Sequence, residues 1–181
     1  MSAMTRPFSI LADIATRSRA CAKGLPAQEE AIELWSGIGF VLANEKYVAP
    51  MGEVSEILHV PRFTQIPGVK HWMYGVANVR GKLLPIMDLA SFLGLPSNPI
   101  TSRDKRILII ENDEMFSGLA VDGVLGMQYF AVDSYHAYTE NVAASMQNFV
   151  RGSYKKNEEE WKIFSTFAMT EDAKFLDVSQ W

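Results

Sequence analysis

Apolar side chains recur at helical spacing near the start of the chain. Over residues 7–22 they form one stripe, and the opposite face carries arginines. Pro7 suits the first position of a helix, and Gly24 and Pro26 suit its end. The pattern predicts an N-terminal helix whose stripe, Phe8, Leu11 and Ile14, packs on the main body. A helix that docks on a partner is the alternative interpretation.

After a polar connector at 26–34, the period changes to the alternation typical of β-strands. The clearest hairpin has arms at 72–79 and 82–87, with Arg80-Gly81 at its tip. Asp88 is expected to be the N-cap of a short helix that ends near Phe92. Strands that recur at short spacing, with few and short helices, predict a mainly β fold.

The second half of the chain repeats the plan of the first. A shift of 68 positions places Leu42 on Ile110 and Tyr47 on Met115, and Val150-Arg151-Gly152 echoes Val79-Arg80-Gly81. We therefore expect two similar small β-barrels in tandem, divided near residues 94–101. The expected boundaries are 1–34 for the helix and connector, about 35–94 and 102–170 for the barrels within a domain of 35–180, and 171–178 for a closing helix.

Composition excludes several classes of protein. The formal net charge of −4 argues against a dedicated nucleic-acid binder and against adhesion to anionic membranes. A single cysteine, Cys21, allows no intrachain disulfide and fits a reducing compartment. The apolar run at 107–110 is far too short to span a bilayer, and the N-terminus shows no secretory signal. We expect a soluble, cytoplasmic protein without direct membrane insertion.

Catalytic motifs are missing from the sequence. It contains no phosphate-binding loop, no dinucleotide fingerprint and no nucleophile elbow. The histidines, His59, His71 and His136, have no spacing typical of metal ligands. Asp88 follows an apolar strand, where catalytic aspartates often lie, but a helix cap explains it better. We predict no enzyme activity, no catalytic residue, no metal and no cofactor.

One segment, residues 75–89, combines a charged side chain with a predicted tight hairpin. Its arginine lies at the tip of an otherwise apolar hairpin, beside a glycine that permits the turn. Asn78 alternates with Val76 and Arg80, so these side chains lean toward one face. A solvated arginine on a hairpin is the simple interpretation. An arginine presented beside apolar surface is also the composition of a protein-binding hot spot.

This segment resembles the signature of the CheW family, the adaptors that couple chemoreceptors to a CheA-type histidine kinase. The pattern G-V-x-N-x-R-G, a hydrophobic return strand, Pro and Asp-Leu all stand between Gly75 and Leu89. The resemblance extends over about 35–178. It is strongest to the branch that serves chemosensory systems of type IV pili and twitching motility, on the residues at 24–28, 35–40 and 48–54. The second barrel departs from the general pattern, because its hairpin arm is charged and ends at 161–165 without Asp-Leu.

The resemblance implies two SH3-like five-stranded β-barrels, with a receptor-binding groove between them. The implied partners are the cytoplasmic tip of a methyl-accepting chemoreceptor, the kinase's own CheW-like regulatory domain, and other CheW-like adaptors in a membrane-associated, polar array. The predicted receptor-binding residues are Arg80 as anchor, with Asn78, Val54, Val76, Ile107 and Leu108. An ion pair of Arg80 within its own barrel is the structural alternative. A small-ligand carrier or enzyme using the cleft between the barrels, and a structural pilus-associated subunit, are the competing functions.

Overall fold

The structure is a computed structural model that describes residues 7–21, 33–112, 115–137 and 142–179. The predicted connector at 26–34 lies almost wholly outside these residues. The helices and strands are α1 (Pro7–Cys21), β1 (Leu34–Leu42), β2 (Glu45–Pro50), β3 (Glu56–His59), β4 (Phe63–Thr64), β5 (Met73–Val79), β6 (Lys82–Asp88), α2 (Leu89–Phe92), β7 (Arg106–Glu111), β8 (Phe116–Val121), β9 (Gly123–Ala131), β10 (Tyr135–His136), β11 (Val150–Lys156), β12 (Glu159–Phe164), α3 (Thr166–Thr170) and α4 (Ala173–Leu176).

Helix α1 confirms the predicted N-terminal helix and belongs to a unit of its own. Its stripe, Phe8, Leu11 and Ile14, is exposed. The packing of α1 on a barrel stays a prediction. No helix in the described part of the chain is long and apolar enough to cross a membrane.

The remaining unit contains two six-stranded sheets, each curved into a half-barrel. Sheet A has the strand order β10-β11-β12-β2-β1-β9, and sheet B has the order β3-β7-β8-β6-β5-β4. The prediction of a mainly β fold with two small barrels is confirmed. Each sheet includes one two-residue strand, β4 or β10, so the strands number six rather than five.

The predicted boundaries of the two barrels are wrong, because the repeats exchange their first hairpins. The β1–β2 hairpin joins β12, from the second repeat, in a parallel pair between Tyr47 and Lys162. The β7–β8 hairpin joins β6, from the first repeat, in a parallel pair between Met87 and Leu119. Residues 94–101 therefore separate the sequence repeats but not the half-barrels. Within each repeat the two strands of a hairpin still pair with each other, as neighbouring elements usually do.

Three apolar cores hold the unit together. The largest is formed by side chains from both sheets and from the short helices, including Phe40, Tyr47, Trp72, Phe164 and Phe175. We call it the shared core. A smaller core fills half-barrel B around Leu84, Ile86 and Ile107, and another fills half-barrel A around Phe130, Tyr154 and Trp161. Because the shared core takes side chains from both sheets, the two half-barrels form one compact unit.

The local predictions hold where short-range chemistry decides the structure. Asp88 caps α2 by accepting a hydrogen bond from the Ser91 amide, as predicted. The second repeat uses Ser165 at the same place, before α3, which explains the missing Asp-Leu. The single closing helix at 171–178 is replaced by α3 and α4, separated at Glu171 and Asp172. Glu171 is the C-cap of α3, and Asp172 caps α4 by accepting a hydrogen bond from the Lys174 amide.

Candidate protein-interaction surface

A four-residue crossing segment, Glu53–Glu56, carries the chain from half-barrel A to half-barrel B. Ser55 fixes its far end, because the Ser55 amide and hydroxyl both donate to the Ile109 carbonyl, at 2.9 and 3.0 Å. Val54 packs on the rim of the shared core and is half-buried. The segment therefore holds Val54 and Glu56 in fixed positions beside the junction of the two half-barrels.

The other end of the crossing segment is anchored by a buried carboxylate. Glu53 accepts hydrogen bonds from the Thr166 amide at 2.6 Å, the Phe167 amide at 3.2 Å and the Ser165 hydroxyl at 3.2 Å. These amides belong to the first turn of α3, where N–H groups lack partners within the helix. A carboxylate there satisfies them and is stabilised by the positive end of the helix. Glu53 thus ties the crossing segment to the C-terminal helices.

The β5–β6 hairpin presents Arg80 beside this segment. Arg80 and Gly81 have φ angles of +52° and +83°, the left-handed conformation of a two-residue turn. The Asn78 carboxamide oxygen accepts a hydrogen bond from the Gly81 amide at 3.0 Å and closes the turn. Gly75, earlier in β5, is required for a different reason, because a Cβ there would lie 2.1 Å from the Thr64 carbonyl oxygen. The motif therefore builds a rigid hairpin.

Arg80 is both paired and exposed. Its guanidinium donates to the Glu56 carboxylate at 2.6 Å, so the structural alternative for this residue is present. The side chain nevertheless remains 76% exposed. A pair this exposed contributes at most about 1 kcal/mol to folding. Most of the guanidinium surface is therefore available to a partner.

A cleft of about 260 Å³ lies beneath the hairpin tip. Val79, Ile109 and Phe116 supply its apolar side chains. Its rim carries two ion pairs, Arg80–Glu56 and Lys82–Glu111, the second at 2.7 Å. Lys82 also lies over the Phe116 ring, at 5.2 Å from its centroid. The cleft therefore alternates positive and negative charge around a small apolar floor.

The prediction that Ile107 and Leu108 line the receptor groove is wrong. Ile107 and Leu108 have no exposed surface. Their strand, β7, lies between β3 and β8, and successive side chains face opposite cores: Ile107 fills half-barrel B and Leu108 the shared core. Val54 and Val76 differ, because both are half-buried and lie on the rim of the shared core. The structure therefore brings Val54, Val76 and Leu108 around one core but leaves only the first two accessible.

The accessible apolar surface is supplied instead by β9, which the sequence reasoning missed. Leu125, Met127 and Tyr129 are 40%, 48% and 52% exposed and alternate along the strand. Met127 lies directly opposite Ile38 of β1, and Ile38 packs on the rim of the shared core. The row is thus continuous with that rim. Its signal was available, since residues 123–132 contain no charged side chain.

A buried polar network stiffens the junction behind these surfaces. Lys105 is 1% exposed, with its ammonium nitrogen 3.7 Å from both the Asp88 and the Asp122 carboxylates. Asp88 also accepts hydrogen bonds from the Tyr74 and Ser97 hydroxyls. Burial and the hydrogen bond to Asp88 raise the pKa of Tyr74. Asp122 in turn accepts the Ala43 amide at 2.8 Å, which joins the β1–β2 turn of half-barrel A to the network.

Nothing in the described residues resembles a metal centre. They contain no group of three or more His, Cys, Asp or Glu side chains close enough to share an ion. The three histidines lie apart: His59 in β3, His71 before β5 and His136 in β10. The candidate surfaces of the described residues are the hairpin tip, the rim of the shared core and the β9 row.

Comparison with known proteins gives the family. The profile of the CheW-like domain matches residues 36–174. The chain is 49% identical to protein PilI of Pseudomonas aeruginosa over 179 residues, which cover 99% of both chains. It is 28% identical to the chemotaxis protein CheW of Helicobacter pylori over 112 residues, which cover 62% of this chain and 67% of that one. The crystal structure of the scaffolding protein CheW of Thermoanaerobacter tengcongensis superposes with a TM-score of 0.68 and 27% identity, covering 78% of this chain and 96% of that one.

The sequence signature, the paired half-barrels and these matches agree. The predicted resemblance is confirmed, and the chain belongs to the CheW-like family of chemosensory scaffold proteins.

Proposed function

We propose that this protein is a non-enzymatic adaptor that couples a methyl-accepting chemoreceptor to a CheA-type histidine kinase in the control of type IV pili. The observation that carries the proposal is the accessible apolar rim between the half-barrels, next to an exposed arginine on a rigid hairpin. The 49% identity to protein PilI over 99% of the chain supports placing it in the branch of the family that the sequence resembles.

The receptor is expected to bind along the rim of the shared core. A helical receptor tip presents apolar side chains at i, i+3, i+4 and i+7, which fit an elongated apolar surface. Val54 and Val76 form the centre of that surface, and the β9 row of Leu125, Met127 and Tyr129 extends it. Arg80 anchors the receptor by hydrogen bonds to its carboxylates or carbonyls, and Asn78 holds the turn that presents Arg80. Leu108 lies in the shared core beneath this surface.

The kinase is expected to bind elsewhere, through its own CheW-like domain. Two domains of similar fold can pair the ends of their barrels, where sheet edges need to be covered. Other CheW-like adaptors can use the same ends, which would build the protein into an array at the membrane. Each contact can then be weak, because simultaneous contacts in an array raise the effective concentration.

The Arg80→Ala variant tests the anchor. We expect its affinity for a purified receptor-tip fragment to fall about thirty-fold, which corresponds to about 2 kcal/mol. Its unfolding free energy should fall by less than about 1 kcal/mol, because the ion pair with Glu56 is exposed. Arg80→Lys should lose much of the affinity as well, since lysine lacks the planar fork. Fluorescence anisotropy and urea unfolding measure the two quantities.

Glu56→Gln is the matched control for that experiment. It breaks the same ion pair but leaves the guanidinium free. If Arg80 contacts the receptor, this variant binds at least as tightly as the wild type. If Glu56→Gln weakens binding as much as Arg80→Ala, Arg80 acts only through its own half-barrel and the anchor is assigned wrongly.

A further inference from the structure

Helix α1 has two faces of different chemistry. Its apolar stripe of Phe8, Leu11 and Ile14 is widened by Ile10, and these four side chains are between 48% and 81% exposed. Thr16 lies on the opposite face, five positions after Leu11. A helix with such a stripe packs on a protein core or lies in the surface of a bilayer.

Two arginines border the stripe, one on each side. Arg17 lies two turns after Ile10, and Arg19 lies three turns after Phe8, so each arginine follows one edge of the stripe. Both arginines are exposed. Asp13 pairs with Arg17 at 2.6 Å, but both side chains are more than half exposed. The pair is therefore weak and leaves the guanidinium accessible.

This arrangement fits the surface of an anionic bilayer. Apolar side chains of an interfacial helix enter the boundary between headgroups and acyl chains. Arginines at both edges of the stripe can extend to the lipid phosphates while their stems stay on the apolar side. The helix has 15 residues and so is about 22 Å long, which suits lying in the surface and is too short to span the bilayer.

The net charge of the whole chain conceals a separation of charge along it. Residues 1–24 contain four basic side chains, Arg6, Arg17, Arg19 and Lys23, and one acidic side chain, Asp13. Most of the acidic side chains of the protein therefore follow residue 24. An anionic surface attracts the first segment and repels the rest, so the net charge of −4 does not argue against lipid contact by this helix.

We propose that α1 binds the surface of an anionic lipid bilayer, with its apolar stripe in the acyl boundary and Arg17 and Arg19 on lipid phosphates. A single short helix binds a membrane reversibly. Such a contact raises the concentration of the protein at the membrane and thereby strengthens other weak contacts made there. The lipid contact is additional to the receptor and kinase contacts of the proposed function and does not depend on them.

The test is co-sedimentation of the full chain with two kinds of vesicle. One kind is an equimolar mixture of phosphatidylglycerol and phosphatidylcholine, and the other is phosphatidylcholine alone. We expect at least about tenfold tighter binding to the mixture, which weakens as salt is raised from about 0.05 to 0.3 M. Vesicle experiments on the receptor accordingly use phosphatidylcholine alone.

Three variants separate the stripe from the charges. Leu11→Asp should weaken binding to the mixed vesicles at least about thirtyfold, because it places a charge in the middle of the stripe. Thr16→Asp is the matched control, since it adds the same charge on the opposite face of the same helix. Its loss should stay within about fivefold, the effect of one charge near the surface. The double variant Arg17→Gln with Arg19→Gln should lose at least about tenfold on the mixed vesicles and bind phosphatidylcholine as the wild type does.

Several results would overturn the proposal. One is a wild-type protein that sediments with neither kind of vesicle, and another is an equal loss in Leu11→Asp and Thr16→Asp. A melting temperature several degrees lower in Leu11→Asp, with unchanged vesicle binding, would show that the stripe packs on a barrel. Loss of a protein partner in Leu11→Asp, with unchanged vesicle binding, would assign the stripe to that partner. The vesicle measurements contain neither receptor nor kinase, so this proposal and the proposed function fail separately.

Discussion

Replacing Lys105 with methionine is expected to lower the free energy of unfolding by about 3–5 kcal/mol. The change removes the ammonium group that lies between the Asp88 and Asp122 carboxylates. All three side chains are more than nine-tenths buried. Removing one partner of a buried charge network costs more than the network itself contributes, because the remaining charges stay unsolvated. Urea unfolding followed by tryptophan fluorescence measures the change.

Lys155→Met controls for the loss of a lysine, because Lys155 is exposed on β11. That variant should stay within about 0.5 kcal/mol of the wild type. A double variant, Lys105→Met with Asp122→Asn, should recover part of the lost stability because it removes one of the orphaned charges. If Lys105→Met unfolds at the wild-type urea concentration, the network does not join the two half-barrels as described.

Met127→Asp is expected to weaken receptor binding by at least about thirty-fold, or about 2 kcal/mol. The substitution places a charge in the exposed row of β9, where a receptor helix would have to desolvate it. The folded protein should tolerate the change, because Met127 is 48% exposed. Titration of the receptor-tip fragment gives the affinity, and the melting temperature should stay within a few degrees of the wild type.

Ile66→Asp provides the matched control for Met127→Asp. Ile66 is a comparably exposed apolar residue, but it lies in the loop between β4 and β5. Its substitution should leave receptor affinity unchanged. Wild-type affinity in Met127→Asp would remove the β9 row from the receptor surface and leave Val54 and Val76 to carry it. Equal losses in both variants would show a non-specific effect of added negative charge.

Short-range chemistry is the part of this fold that the sequence predicts well. The β5–β6 turn follows from Arg80-Gly81, and the start of α2 follows from Asp88, because each depends on residues within three positions. The repeat is also visible in the sequence. The exchange of hairpins between the repeats is not, because alternation fixes which face a side chain occupies and not which strand lies beside it.

In the candidate surface, too, the residues marked by a local motif could be predicted and those brought together by the fold could not. Arg80 and Val54 could be nominated because a local motif points to them. Ile107 and Leu108 were assigned to the groove from the family resemblance alone. The four successive apolar residues at 107–110 are instead typical of a strand buried on both faces, which is what the structure shows. The buried charge of Lys105 was invisible, since its partners Asp88 and Asp122 are brought to it by three different segments.

The proposed function requires that one chain binds receptor and kinase at the same time. Co-sedimentation tests it directly, with receptor fragments tethered to vesicles and the purified kinase in solution. We expect the kinase to sediment with the vesicles only when this protein is present, and Arg80→Ala to release the adaptor and the kinase together. Kinase that sediments equally without the protein, or receptor binding that is lost when kinase is added, would contradict it.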